Sequence, residues 1–443
     1  RFENGPVGDY DSWEFVGPYQ YFSVGQGFTM KGPGTGGVTD IQSYTFTGKP
    51  NNDQTSHEIQ LTISADNNYL VGNPFPSALD ANDFIADNPH LDGTLYFWEH
   101  FGGGSHFLAE YQGGYGMYNL SGSVPATSHP LVSDAGSSTK SPGRYVPVAQ
   151  GFFVAADSDG TINFNNSQRN FVKLGGSSVF MFTDDTYAGG TPTTGDAPST
   201  EEPDDTQFDA PDTRTKLRLG FDSPIGMHRQ LLVTFDNNTT LGVDHGYDGR
   251  VFDEQVEDMN WLIEDERYAI QGIPVIEGRS SVRRALYVKI EEYGEITIGL
   301  DGAEFLGEKL VPYLHDKETD TFVDLRYDYF TTVIEPGVYE DRFQMVFRKT
   351  PRQVDQIANK QVNTVAAMHA KTAQQVTVFA KEEALTIKEV TVYSILGQQI
   401  GTYQFSGDAT QVNFPSTLMS TGTYILRITT DKDVQTTKIL IDK

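Results

Sequence analysis

Glycine and proline interrupt this chain so often that its apolar residues fall into short alternating runs. Ile41–Thr47 and Lys216–Gly220 alternate with period two, as a half-buried strand does. The 44 glycines, 22 tyrosines and 28 phenylalanines agree, since aromatic side chains suit a pleated surface and glycine suits its turns. No apolar run approaches the roughly 20 residues that a membrane-spanning helix needs. The expected class is all-β, built as tandem β-sandwich domains of Ig-like or jelly-roll-like type.

A length of 443 residues suggests two to four domains. We expect a β-rich domain over 1–182, or the end of a larger one, and an acidic flexible linker over 183–212. A second β-sandwich should follow over 213–349, a connector over 350–371 and a last domain over 372–443. Asp184–Asp212 holds nine acidic residues and no Lys or Arg, a composition too polar to build a core. Within 1–182, Asn73-Pro74-Phe75-Pro76 should stop a strand, and Ser77 or Asp80 should cap a short helix through Ile85. Val148-Ala149-Gln150-Gly151-Phe152 echoes Val24-Gly25-Gln26-Gly27-Phe28. Arg1 is not a start residue and no signal pattern follows it, so the chain is expected to be processed or to begin partway through a longer protein.

The net charge of -28 is uneven. Residues 350–443 hold 9 Lys+Arg against 8 Asp+Glu, which leaves 23 against 52 for the rest. So acidic a surface repels phosphate backbones, and nucleic acid is not an expected partner. The absence of cysteine excludes disulfides and thiolate metal sites.

No catalytic module is expected in the visible chain, because there is no GxSxG elbow, no HExxH, and the nine histidines are dispersed. No cofactor is expected either. Asp244, Asp248 and Asp253 are the candidates for a structural Ca²⁺ in an acidic loop, where oxygen-rich groups suit a hard cation. Tyr96, Trp98, Tyr111 and Tyr115 are candidates for a ligand platform, since flat rings stack on the C–H faces of sugars. The competing reading is that these rings fill a core.

The last part of the chain reads VTVYSILGQQI over 390–400, LMSTGTYILRI over 418–428, and a final strand with Lys438 before Ile439-Leu440-Ile441. These three blocks resemble the type A C-terminal sorting domain of the type IX secretion system. The resemblance implies a small seven-stranded sandwich that routes a folded periplasmic protein through an outer-membrane translocon. It also implies capture by an outer-membrane shuttle protein and processing by a sortase that attaches cargo to the cell surface. Val392, Tyr393, Leu396, Gly397, Leu418, Gly422, Tyr424, Lys438, Ile439 and Ile441 are the implied sorting-signal residues. Most of them also make sense as sandwich core and turn.

Upstream, GQGFTMKGPGTGG (25–37), FTGKPNN (46–52), YLVGNPFPSALDANDFI (69–85), GTLYFWEH (93–100) and VAQGFFV (148–154) resemble a region of long exported surface proteins. That region implies no activity. The expectation is a secreted cell-surface protein with an adhesive, structural or display role and a surface glycan or protein as ligand. The alternatives are the accessory and sorting region of a secreted hydrolase whose catalytic module precedes Arg1, or a carbohydrate-binding module.

Overall fold

Leu95-Tyr96-Phe97 and Phe152-Phe153-Val154 are apolar without alternation, the pattern of strands covered on both faces. In the computed structural model they lie in a five-stranded sheet ordered Asn68–Gly72, Gly151–Ala155, Leu95–Gly102, Gln112–Asn119, Gly122–Val124. Tyr96 and Phe153 pair across the ladder and enter one core, while Phe97, Phe152 and Val154 enter another. The second core is closed by the helix Ala81–Ala86, through Phe84 and Ile85. Asp80 caps that helix by accepting from the Asn82 N–H at 3.0 Å, and Arg144 holds the Asp80 carboxylate with two bonds of 2.8 Å.

The structure describes residues 2, 5, 12–17, 19–30, 45, 47–53, 59–102, 107, 109–129, 132–133, 136–172, 181–183, 212–276, 281–307, 310–348, 365–370, 374–380, 385–394, 398–407, 409–420, 422–432 and 434–441. The linker expected over 183–212 therefore lies almost wholly outside them. The chain forms two units, Arg1–Leu325 with Tyr329–Pro351 and Arg326–Asp328 with Arg352–Lys443.

In the first unit a larger sheet runs in the order Thr321–Asp324, Val311–Asp316, Gly337–Arg348, Ser281–Ile290, Asp258–Ile263, Glu266–Ile273, His228–Phe235, Lys216–Asp222, Gly294–Glu304, Phe330–Ile334, with Gly249–Arg250 also paired on Glu266–Ile273. Among the described residues its one parallel ladder joins His228–Phe235 to Glu266–Ile273. The first core is shared between the two sheets: Tyr96, Met117, Val124 and Phe153 pack with Leu217, Leu231, Phe252 and Trp261. Trp261 is fully buried and its indole N–H donates to the Leu232 carbonyl at 3.0 Å. Residues from both sides of the 183–212 stretch thus build one interior. Hydrogen bonds cross the same join, from Thr234 to the Ser121 carbonyl (2.8 Å) and from Arg218 to the Ser123 carbonyl (2.7 Å).

The two echoing segments flank one strand. Gln26 bridges Val71 on one side of Asn68–Gly72, and Val71 pairs Phe152 on the other. Each enters through the same turn: the Gln26 N–H donates to Ser23, and the Gln150 N–H to Pro147. Gly25 (φ 88°) and Ala149 (φ 61°) occupy the same left-handed position. Glycine is required at 25, where a Cβ would also meet the Phe164 ring at 2.8 Å. Alanine at 149 bears the conformational cost. Ala149→Gly should therefore stabilise the protein by about 0.5–1 kcal/mol net, read as a higher urea midpoint. An unchanged or lower midpoint would contradict the strain at 149.

The second unit is a three-stranded sheet, Val365–Ala370, Gln375–Ala380, Gln411–Pro415, and a four-stranded sheet, Gln399–Gln404, Ile387–Ser394, Gly422–Thr430, Val434–Ile441. Val376, Val378, Val412 and Phe414 of the first pack with Val390, Val392, Leu426 and Ile428 of the second. The all-β class and the seven strands at the C-terminus are as expected.

Candidate functional site

In the C-terminal unit, alternation decides what each sorting-signal residue can do. Tyr424, Leu426 and Ile428 point inward and are buried, while Ile425 is half-buried and Arg427 exposed. Val392 is core; Tyr393, at a bulge beside it, is half-buried. The Tyr424 hydroxyl accepts from the Ser420 N–H at 2.9 Å and donates to the Ser420 carbonyl at 3.1 Å, so one side chain clamps the turn before its own strand. Gly422 closes that turn at φ 150°; nothing lies within 4 Å of an added Cβ, so its backbone conformation, not space, asks for glycine.

Met419 is buried, but its neighbour Leu418 is 72% exposed, a large apolar side chain that the sandwich does not use. The last strand ends the sheet order and pairs Lys438 with Ile425, Ile439 with Tyr424 and Ile441 with Gly422. Ile439 and Ile441 are buried, and Lys438 is half-buried on the opposite face. Leu396 and Gly397 lie outside the described residues.

The four candidate platform rings separate. Tyr96 is 1% exposed, stacks on Phe252 (4.2 Å between ring centres) and donates its hydroxyl to Asp92 at 2.5 Å; it belongs to the core. Tyr115 is half-buried between Phe252 and Phe153 below and Trp98 above. Trp98 is 40% exposed, and its indole N–H donates to the Tyr111 hydroxyl at 2.9 Å. Tyr111 lies nearly parallel to both Trp98 (17°) and His100 (12°, 4.2 Å). Trp98 is thus the exposed ring of the group, resting on Tyr115, with Tyr111 and His100 stacked on each other beside it.

The glycine at 113 makes this layer fit. A Cβ there would meet the Tyr111 ring at 2.6 Å and Trp98 at 3.0 Å. Burial keeps the neighbouring His129 imidazole below its ordinary pKa, hence neutral.

The acidic loop is held by its own backbone. Asp248 accepts from the N–H groups of Asp244 (2.6 Å) and Gly272 (2.9 Å), and Asp244 accepts from Thr240. Asp253 is elsewhere, beside Arg229 and Asp258. The structure brings together Asp244 and Asp248 but not the third carboxylate, and among the described residues no three His, Asp or Glu side chains are grouped to hold a metal. Burial pushes Asp248 up to about 7 and Asp253 up to about 6; it pushes Asp92 up to about 7 against the Tyr96 hydroxyl bond.

A cleft of about 980 Å³ opens elsewhere in the first unit, between Arg214, Asp236, Val275, Phe305 and Leu310. Its arginine is tied to Asp236 at 2.7 Å and Asp212 at 2.6 Å.

Residues 2–347 match a domain of unknown function, DUF8693. The chain belongs to that family. Residues 372–442 of this DUF8693 protein match the secretion system C-terminal sorting domain. It is a cargo of the type IX secretion system, exported to the cell surface or the extracellular space. No curated protein and no solved structure matches it. No helix among the described residues is long and apolar enough to cross a membrane.

Sequence reasoning missed His100 and Gly113 as parts of the DUF8693 aromatic surface. A signal existed for both. Trp98 and His100 are two apart and so share a strand face, and Gly113-Gly114 interrupts an aromatic run where the ladder sets Gly113 opposite His100.

Proposed function

We propose that this protein is displayed on the cell surface in an adhesive or structural role, without catalysis in residues 1–349. Its C-terminal sandwich is read by an outer-membrane shuttle protein, a translocon and a sortase. The observation that carries this reading is the sorting-domain match on a region that holds seven strands among the described residues, the last of which ends its sheet. Such an edge is where a receptor can add or clamp a strand. Leu418, exposed beside a buried Met419, supports recognition from the turn as well.

The test is export in the producing cell. Deleting 372–443 should leave the remainder inside the cell envelope. Leu418→Ser should lower the surface fraction while leaving stability within about 0.5 kcal/mol, as a surface change does. Surface display of the shortened protein would overturn the proposal.

A further inference from the structure

We propose that the exposed face of Trp98, braced by the Tyr111–His100 stack, binds neutral polysaccharide, its indole stacking on the C–H face of a pyranose unit. A singly exposed aromatic residue is ordinary on a protein surface. This one is different because it is exposed and fixed. Trp98 is held by the bond to the Tyr111 hydroxyl, by an edge contact with Tyr115 at 4.9 Å and by His129 at 6.1 Å. A ring already immobilised loses little freedom when a ligand arrives. Tyr111 is itself braced by His100, which stacks on it at 4.2 Å, and the exposed ring of Phe107 lies in the turn that leads into Tyr111.

Electrostatics choose among ligands with such a face. The protein carries a net charge of -28, which disfavours uronic acids, sulfated glycans and nucleic acid alike. Among the described residues, the one imidazole that packs against Trp98 from outside its own strand is His129, which burial keeps neutral, so it offers no cation to an anionic sugar. Glu110, on the exposed turn before Tyr111, supplies an acceptor for sugar hydroxyls. An uncharged polymer of hexoses meets all of these conditions. The site is independent of the export reading and can fail without it.

Affinity electrophoresis of the full chain through gels containing a soluble β-glucan, a mannan, a galactan or heparin tests the proposal. At least one neutral polymer should retard the protein, and heparin should not. Trp98→Ala should weaken that retardation about tenfold or more with the melting temperature unchanged, whereas Trp98→Tyr, which keeps a flat face, should retain most of it. If Trp98→Ala does not fold, Tyr111→Leu gives the same reading without altering the sheet. No retardation by any neutral polymer, equal retardation of the folded variants, or retardation by heparin alone would overturn it.

Discussion

Replacing Arg229 with methionine will destabilise the protein by about 3–5 kcal/mol, the cost of leaving a buried charge alone. The guanidinium is buried and grips Asp258 through Nε at 2.7 Å and Nη2 at 2.9 Å, with Nη2 also donating to the Asp253 carbonyl at 3.3 Å. Asp258 is enclosed as well, and its other partners are the N–H groups of Met259 (3.0 Å) and Gln255 (3.3 Å). Two backbone donors do not replace a cation.

Adding Asp258→Asn to Arg229→Met removes the charge stranded at 258 and keeps an acceptor for one of those donors, the Met259 N–H. The double variant should recover roughly half of the loss in urea unfolding. Equal stability of the single and double variants would show that lost packing of the arginine stem, not charge, sets the cost.

Acidifying the protein from pH 8 to pH 5 should raise its melting temperature, by about 5 °C. Asp92 and Asp248 titrate near 7 in the fold, because burial penalises their charged forms, and near 3.8 when unfolded. Between those values the native state holds more protons than the unfolded one, so stability rises as pH falls through 7. At about 1.4 kcal/mol per pH unit, each contributes on the order of 2–3 kcal/mol across this interval. Asp253, near 6, adds less.

His228 acts in the same direction. Burial works against its charge, but Asp301 at 3.0 Å and Asp222 at 2.8 Å outweigh that and push it up to about 10, so its contribution is full below 6.5 and fades as pH rises. Arg342 holds Asp316 below the carboxylate range despite burial. That contribution is lost only in stronger acid and does not offset the rise above pH 5.

Asp92→Asn should flatten part of the pH profile. The amide can donate toward the Tyr96 oxygen, whose proton then turns to the Arg250 carbonyl at 3.3 Å. A melting temperature that is level or falls between pH 8 and pH 5 would refute the assignment to these carboxylates.

The strands and the sorting unit were legible because each depends on local pattern. The period-two run Thr423–Ile428 has one register that buries Tyr424, Leu426 and Ile428, and that is the register found. The same local pattern left Ser77 or Asp80 as the helix cap, and the cap is Asp80. The aromatic face was half legible. Alternation puts Tyr96 and Trp98 on one side of their strand, but which of them is covered depends on Phe252, more than 150 residues away in sequence.

The acidic loop was only partly legible: composition groups Asp244 and Asp248, which the fold does bring together, with Asp253, which it does not. Asp248 accepts from backbone N–H groups of its own turn and of Gly272, and no spacing rule shows which donors will arrive. Nor does composition show that Leu217 and Tyr96 belong to one interior, because the stretch between their halves of the chain is polar and acidic.

That shared interior bears on what happens if a protease meets the exported protein. A single cut between residues 184 and 211 would sever the chain but not the molecule. The amino-terminal piece would remain seated on its companion through the rings around Phe252 and the bonds to Ser121 and Ser123. Such a nicked form would travel as one particle under native conditions and as two bands once denatured. Anything bound by the first piece would stay attached to the piece that carries the export label.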